Sequence, residues 1–454
     1  MGIASPRVME TNPGATLIPT CKTEDKAHAT GVSGFLKRLG PGLITGASDD
    51  DPSGIGTYSQ IGAKYGYSML WTMPFLLPLM AAIQEVSARI GRITGRGIAG
   101  NIRRYYSPWL LYPIVFLLVV ANTINLGADI GAVGDATSML IGGPALIYAA
   151  LFATACVLLQ IFASYSRCCS VLKWLCLVLF AYVGAVFLVH APWREVLHGT
   201  FVPSVHFDSD YIASLIAVLG TTISPYLFFW QASQETEEIR AKPQEEALKD
   251  APEQAREQLK RIRIDTYVGM AFSNLVAFFI IVAAAATLHA KGVTNIETSS
   301  QAAEALRPIA GRLAFVVFAI GIIGTGILAV PVLAGSAAYA VGEALKWPTG
   351  LDRKPLEAKG FYAVLSIATI LGLSINFPVV QKFTHLTPIK ALFWSAVING
   401  VVAAPIMVVM MLMCHNKKLL GQFTRVSKTL RAFGWVATAV MAAATVGLFL
   451  TWKS

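Results

Sequence analysis

Long apolar segments recur along the whole chain and constrain its fold more than any other feature. Each is about the 20 residues that a helix needs to cross a bilayer. Only 14% of the 454 residues are charged, whereas soluble domains carry about 25%. The chain is therefore predicted to be an all-α polytopic membrane protein with eleven transmembrane spans: 41–63, 69–90, 109–132, 145–163, 170–190, 211–235, 264–288, 313–345, 360–377, 388–413 and 433–451.

Lysines and arginines are distributed unevenly between the predicted loops. With the N-terminus inside, 28 of the 36 fall in cytosolic segments, as the positive-inside rule requires. The net charge of +10 is thus explained without a nucleic-acid partner. We expect a multi-pass protein of the cell membrane, in a bacterium the inner membrane, with its N-terminus in the cytoplasm and its C-terminus outside.

The remaining segments carry weaker signals. Residues 1–35 are polar and lack the order of a signal peptide, which predicts a disordered cytosolic tail before a transmembrane domain at 36–454. The mixed charges of 236–262 suit a solvated connecting helix. The six cysteines have no metal-ligand spacing and are interpreted as packing residues. No cofactor is predicted, and the sequence does not indicate an oligomeric state, although a monomer is consistent with it.

The first span contains a stretch that cannot continue as a regular helix. In GASDDDPSGIGTYS, residues 46–59, three acids precede Pro52. A charge at the membrane centre costs at least about 2.5 kcal/mol, and Pro52 disfavours helix at Asp51. We therefore predict two half-helices joined by an unwound segment, which is tolerated only where it lines a cavity or is buried in protein.

A second interruption is predicted in the sixth span, where Ser224 precedes Pro225. Spans 1 and 6 begin two sets of five, which suggests a LeuT-like fold with two inverted five-helix repeats, about 41–190 and 211–413, followed by helix 11 at about 433–451. Matched broken helices in inverted repeats mark the substrate site of secondary transporters. The sequence thus predicts an ion or small-molecule transporter and not an enzyme.

Three motifs resemble the Nramp family of metal-ion transporters. GPGLITGASDDDPSGIGTYSQIGAKYGYSMLW, residues 40–71, resembles the first-span signature, in which Gly-Pro-Gly is followed by Asp-Pro-Gly-Asn. QEVSARIGRITGRGIAG, residues 84–100, resembles the next motif, and residues 220–225 align with the sixth-span Gly-Ala-x-x-Met-Pro-His. The resemblance covers about residues 35–451 and implies the same fold and a divalent cation as substrate.

Several positions depart from the family pattern. The ligands and proton-relay residues expected from the resemblance are replaced: Gly54 stands for Asn, Ser224 for Met, Tyr226 and Gln231 for His, and Ala132 for Glu, while Asp129 keeps its acid. The ninth span also lacks the arginine that the family's proton route usually has. This pattern resembles the branch called Nramp-related magnesium transporters.

The departures change the ligand chemistry that the site can offer. A thioether favours transition metals, and without it the predicted ligands are oxygens of Asp51, Ser224, Thr221 and the Ser48 region. Mg²⁺ prefers oxygen ligands and keeps several of its waters. We therefore expect uptake of Mg²⁺ and Mn²⁺ by alternating access, not coupled to protons. The alternative is a proton-coupled Mn²⁺/Fe²⁺ Nramp transporter.

Some polar residues remain open between two roles. Asp49, Asp50 and Asp129 either contribute to the site or are structural or water-facing acids. Other polar residues at membrane depth line the pathway or hold helices together: Asn122, Asn125, Gln231, Asn274 and Asn399. Two remote readings are a magnesium-dependent prenyltransferase-like enzyme, which needs a second acidic motif, and an amino-acid carrier, whose carboxylate substrate the three acids would repel.

Overall fold

Helices make up most of the described part of the chain. The computed structural model describes residues 41–162, 180–188, 191–307, 311–384, 387–424 and 427–451, and no β-strand occurs within them. The predicted tail at 1–35 lies outside the described residues, as does most of the predicted fifth span. The prediction of an all-α membrane protein is confirmed.

The helices are numbered here in chain order. They are α1 Pro41–Asp49, α2 Pro52–Tyr65, α3 Thr72–Thr94, α4 Ile98–Tyr105, α5 Pro108–Ile141, α6 Ala145–Phe162, α7 Phe180–Leu188, α8 Trp193–Phe201, α9 Ser209–Thr222, α10 Pro225–Ala241, α11 Ala255–Thr287, α12 Ser299–Ala303, α13 Ala314–Leu345, α14 Lys359–Ser374, α15 Pro378–Thr384, α16 Pro388–His415, α17 Lys417–Leu420 and α18 Lys428–Thr451. Short 3₁₀ turns occur at Pro252–Gln254, His289–Lys291, Glu304–Leu306, Gly311–Leu313 and Gly421–Thr424.

Seven helical segments of the described chain are long and apolar enough to cross a membrane. They contain predicted spans 3, 4, 6, 7, 8, 10 and 11. Of the other predicted spans, the first corresponds to the interrupted pair α1 and α2, the second to the more polar α3 and the ninth to the shorter α14, while α7 is the described part of the fifth. Large apolar side chains such as Trp109 and Phe162, 90% and 81% exposed, cover the outer surface, as expected of helices that face lipid.

Both predicted helix breaks are present in the structure. Helix α1 ends at Asp49 and α2 begins at Pro52; α9 ends at Thr222 and α10 begins at Pro225. In each case proline opens the second half-helix, where its missing N–H group has no helical partner to lose. The breaks therefore follow directly from the local sequence.

Helix α1 packs closely against α11, and the two run parallel. The amide of Gly42 donates to Asp265 Oδ2 at 2.7 Å, and a Cβ atom on Gly46 would lie 2.3 Å from the backbone of Gly269. Only glycine fits at such a distance. The residue numbers of the two contact pairs differ by the same amount, so α1 lies in a fixed register along α11. This register positions the first break.

Helix α9 makes an equally close approach to α16. A Cβ atom on Gly220 would lie 2.0 Å from the carbonyl oxygen of Ala396. Helix α16 also receives the first turn of α2, since the hydroxyl of Ser53 donates to the carbonyl of Leu392 at 2.9 Å. Helix α16 therefore supports both broken helices near their interruptions.

Candidate metal-ion site

The two helix breaks meet in the interior of the protein. The hydroxyl of Tyr226, in the first turn of α10, donates to the carbonyl oxygen of Ser48 at 3.0 Å. The same hydroxyl lies 3.4 Å from Asp51 Oδ2. The unwound segment of the first span and the start of α10 thus share one polar cluster, as the transporter hypothesis predicts.

Asp51 is the centre of this cluster and the N-cap of α2. Its Oδ1 accepts a hydrogen bond from the amide of Gly54 at 2.6 Å, a bond that satisfies one of the free amides at a helix start. Its Oδ2 accepts from Asn125 Nδ2 of α5 at 3.0 Å. The carboxylate is therefore fixed in orientation, with one oxygen directed at α2 and the other at α5 and α10.

The second break supplies hydroxyl and carbonyl oxygens. The hydroxyl of Ser224 donates to the carbonyls of Gly220, at 2.8 Å, and Thr221, at 2.9 Å. This hydroxyl donates to the Thr221 carbonyl in place of the helical amide donor that Pro225 lacks. Across the gap, a Cβ atom on Gly54 would lie 3.3 Å from Thr221 Oγ1. Thr221 therefore faces the first turn of α2.

The first two acids of the triplet face a different helix from the third. Ser273 of α11 donates to Asp49 Oδ2 at 2.6 Å and to Asp50 Oδ1 at 3.2 Å. The other oxygen of each acid has no hydrogen-bond partner among the described residues. Within the described chain no three His, Cys, Asp or Glu side chains converge as a metal-binding group, so the triplet does not form one carboxylate cage.

Asp129 lies one helical turn beyond Asn125 on α5 and belongs to the same region. It is completely buried, and it lies close enough to Asp51 for their charges to interact. Its carboxylate faces the backbone amide of Ser53, but neither oxygen makes a hydrogen bond of regular geometry among the described residues. An intramembrane acid in this position is a functional candidate by default.

Two further predicted pathway residues make no hydrogen bond to Asp51 among the described residues. Gln231 Oε1 accepts a hydrogen bond from the hydroxyl of Thr45, which links α10 to α1. Asn399 is buried on α16, and its Oδ1 has no hydrogen-bond partner in the part of the chain that the structure describes. The structure thus brings Asp51, Ser48 and Tyr226 into direct contact, but not these two.

Asn125 is the functional candidate that the sequence did not single out. The sequence identifies it as one of several polar residues at membrane depth that either line the pathway or hold helices together. The available signal was its spacing, since Asn125 and Asp129 lie four residues apart and therefore on one face of a helix. Sequence alone could not show that this face meets the break in the first span.

The site is closed to solvent in this conformation. Asp51 and Ser224 are each 2% exposed, and Tyr226 is completely buried. The groups that contact Asp51 are hydrogen-bond donors, two amide N–H groups and the Tyr226 hydroxyl. A cation would bind instead through the carboxylate itself and through carbonyl and hydroxyl oxygens. Such a site can hold a hard cation, and the ion can reach or leave it only when the helices move.

The comparisons with known proteins agree with this architecture. The family described as Natural resistance-associated macrophage protein-like, or Nramp, matches residues 42–451. The divalent metal cation transporter MntH of Deinococcus radiodurans is 26% identical over 325 residues, which is 70% of each chain. MntH of Klebsiella pneumoniae is 24% identical over 415 residues, 89% of this chain and 92% of the relative.

Solved structures show the same fold. The manganese transporter of Eremococcus coleocola, in complex with an aromatic bis-isothiourea substituted compound, has a TM-score of 0.73 at 14% identity and covers 92% of this chain and 88% of its own. MhsT in complex with L-phenylalanine has a TM-score of 0.59 at 14% identity, with 90% and 98% covered. At these identities the likeness concerns the fold alone.

Proposed function

The chain belongs to the Nramp family, and from this premise we propose that it takes up Mg²⁺ and Mn²⁺ by alternating access without proton coupling. In coarser terms it is a multi-pass membrane transporter of divalent metal cations and not an enzyme. The choice of cation and the coupling are the proposal, and both rest on the residues around the two breaks.

The carboxylate of Asp51 is the single observation that carries the proposal. It lies at the break of the first span, in contact with the start of α10. The same Tyr226 hydroxyl also contacts the carbonyl of Ser48, which has no helical amide donor because Pro52 lies four residues later. A buried charge in lipid is retained where it serves an ion pathway. We therefore assign Asp51 as the principal ligand, with the Ser48 carbonyl, Thr221 and Ser224 as further oxygen donors.

The donor atoms support a hard cation. The residues assigned to the site offer carboxylate, hydroxyl and carbonyl oxygens, and such ligands suit Mg²⁺ and Mn²⁺ better than soft metals. Ser224 at the sixth-span break is also much shorter than methionine, and Gly54 has no side chain. The resulting space favours an ion that keeps part of its hydration shell.

The proposal of uncoupled transport rests on three replaced side chains. Proton coupling needs a group that binds and releases a proton near ambient pH, and neutral Tyr226, Gln231 and Ala132 do not provide one. The membrane potential supplies about 4.6 kcal/mol per 100 mV for a divalent ion, at about 2.3 kcal/mol per charge. This is enough to drive uptake without protons.

One observation favours the alternative of a proton-coupled Mn²⁺ transporter. Asp129 is buried beside Asp51 and keeps two carboxylate oxygens without a hydrogen bond of regular geometry among the described residues. Such a group could carry a proton if its occupancy changed with the conformation. Measurement of the internal pH during transport separates the two functions.

The test is flux into proteoliposomes that contain a pH dye, with Mg²⁺, Mn²⁺ and Ca²⁺ compared. We expect Mg²⁺ and Mn²⁺ uptake without acidification of the lumen, and loss of both fluxes in Asp51→Ala. Asp250→Ala, which removes an exposed loop acid, serves as the control and should transport normally. Normal transport by Asp51→Ala would refute the site, and acidification that scales with Mg²⁺ flux would refute the uncoupled mechanism.

We also place the protein in the bacterial inner membrane, because the relatives named above are bacterial. The distribution of lysines and arginines puts the N-terminus in the cytoplasm and the C-terminus outside. Cysteine labelling of single-cysteine variants from each side of intact cells tests this orientation. Labelling of the α4 region from outside would overturn it.

A further inference from the structure

We propose that a cavity between α4, α10 and α13 binds a phosphate group, that of an anionic phospholipid headgroup. The cavity measures about 350 Å³, within the usual range of ligand sites. It lies on the side predicted to face the cytosol, away from the metal site. Its basic lining consists of Arg96, Arg103, Arg240 and Lys346.

An adjoining cavity of about 370 Å³ extends this basic surface. It shares Arg96, Arg103 and Lys346 with the first and adds Arg104. Five basic side chains from three parts of the sequence therefore surround one recessed volume. A general excess of positive charge on cytosolic loops explains their number but not their convergence on one cavity.

Four of these five basic groups make no ion pair within the described residues. In the described residues, no ion pair involves Arg96, Arg103, Arg104 or Lys346. Arg240 has only a long contact of 3.8 Å to Glu237. The four unpaired side chains are therefore available to an external anion.

The acid that lines the cavity is already engaged. Glu343 Oε2 accepts from the amide of Gly100 at 2.8 Å, and its Oε1 accepts from the hydroxyl of Ser233 at 3.1 Å. Its backbone carbonyl accepts from Arg103 Nη1 at 2.7 Å. Glu343 thus holds α4 and Arg103 in place. Its carboxylate forms no ion pair within 4 Å among the described residues, although its charge interacts with that of Arg240.

The surroundings of the cavity indicate a lipid as the source of the phosphate. Trp347 lines the cavity and is 41% exposed, and neighbouring Leu345 is 43% exposed. Tryptophan is enriched at the level of the headgroups, and basic pockets on the cytoplasmic side between transmembrane helices bind anionic headgroups. A phospholipid whose acyl chain lies beside Leu345 and whose phosphate lies among the arginines would match both the exposed apolar side chains and the basic lining.

Occupancy of this cavity should affect transport through α10. Arg240 lies near one end of that helix, and Ser224 and Tyr226 of the metal site lie at the other. The 17 residues of α10 form one continuous helix between them. A headgroup that holds Arg240 against Lys346 therefore fixes α10 relative to α13, and anionic lipid should change the transport rate.

The test measures binding to the full-length protein in detergent by native mass spectrometry. The probes are phosphatidylglycerol, zwitterionic phosphatidylcholine and inorganic phosphate. The test variant is Arg96→Gln with Lys346→Gln. The control, Arg256→Gln with Lys260→Gln, removes the same two charges from exposed positions of α11 that lie outside the cavity.

We expect the wild-type protein to prefer phosphatidylglycerol over phosphatidylcholine. The test variant should bind phosphatidylglycerol about 25-fold more weakly, since each of the two basic residues near an anionic surface contributes about a factor of five. The control should bind as the wild type does. Equal binding of inorganic phosphate and phosphatidylglycerol would support the phosphate site and assign it to a soluble ligand.

Two results would overturn the proposal: no preference for an anionic probe over phosphatidylcholine, or equal weakening in the test and control variants. Thermal unfolding in neutral detergent checks that both variants fold. If the double variant does not, Arg104→Gln at an exposed position replaces it, with an expected weakening of about fivefold and Arg256→Gln as its control. Unchanged binding by Arg104→Gln would then refute the site.

Discussion

Asn125→Leu tests whether the hydrogen bond to Asp51 belongs to the metal site. The substitution keeps the approximate size of the side chain and removes the amide that donates to Asp51 Oδ2 at 3.0 Å. Asp51 Oδ2 would then retain the longer contact to the Tyr226 hydroxyl, 3.4 Å. The carboxylate would lose both orientation and stabilisation of its charged form.

The size of the effect follows from the kind of bond that is lost. A hydrogen bond to a charged group contributes about 1.5–3 kcal/mol, which corresponds to about 10- to 150-fold in affinity. Asn125 Oδ1 has no hydrogen-bond partner among the described residues. If this oxygen contacts the ion directly, its removal in Asn125→Leu would lower the metal affinity further. We therefore expect Asn125→Leu to weaken Mn²⁺ and Mg²⁺ binding by at least about tenfold.

Asn122→Leu is a closely matched control. Asn122 lies one turn earlier on α5, is also completely buried, and donates to the carbonyl of Leu333 at the same distance, 3.0 Å. Its Oδ1 is likewise without a hydrogen-bond partner in the described chain. Both variants should lose about 1–3 kcal/mol of stability, because each leaves a buried acceptor with one donor fewer.

The assay is metal-dependent thermal stabilisation, supported by calorimetric titration with Mn²⁺. A ligand at 100 times its dissociation constant stabilises the folded state by about 2.7 kcal/mol, and this increment should fall in Asn125→Leu and persist in Asn122→Leu. An equal metal-dependent increment in the two variants would show that the bond to Asp51 is only structural. Loss of metal binding in both would show that any damage to α5 has this effect.

Three further predictions concern selectivity, pH and packing. Ser224→Met should raise the ratio of Cd²⁺ to Mg²⁺ flux by about tenfold, because a thioether favours soft metals; an unchanged ratio would show that residue 224 does not contact the ion. Burial acts to raise the pKa of Glu245, but the hydrogen bond and charge of Arg92 outweigh it and, with Lys242, hold this pKa below its usual value. The ion pair of Glu245 with Arg92 stabilises the fold fully above the ordinary glutamate pKa of about 4.3, and this stabilisation is lost as the pH falls below that value. Glu245→Gln should therefore lower the stability at neutral pH by about 1–2 kcal/mol and remove this acid-dependent loss. Parallel pH–stability curves for the variant and the wild type would contradict the assignment. Gly220→Ala should lower the melting temperature strongly, since its Cβ would overlap α16, whereas Gly321→Ala, with open space around it, should be neutral, and equal melting temperatures would show that α9 and α16 can separate without cost.

The local sequence was sufficient for the secondary structure of the membrane domain. Apolar segments of bilayer length predict helices because the backbone in lipid must satisfy its own hydrogen bonds. Pro52 and Pro225 predict the two interruptions because proline removes a helical donor at its own position. Asp51 was recognisable as a site residue for the same reason, since a charge beside such a break is costly unless it serves a function.

The arrangement of the three acids was decided by the tertiary structure. Asp49, Asp50 and Asp51 are adjacent in sequence, and the sequence left open whether all three serve the ion. The register of α1 along α11 places Ser273 beside the first two, and the N-cap position turns the third toward α5 and α10. Adjacent residues at a helix break point in different directions, and only the packing of neighbouring helices determines what each one contacts.

Contacts between distant parts of the chain likewise could not be predicted from the sequence. The motifs in the first and sixth spans indicated an oxygen-lined ion site, because ligand chemistry depends on residue type. The pairing of Asn125 with Asp51 and the convergence of Arg96, Arg240 and Lys346 on one cavity depend instead on how α4, α5, α10 and α13 pack together. Residue type and local backbone preference are properties of short segments and can be read from them, whereas proximity between remote residues exists only once the helices have packed.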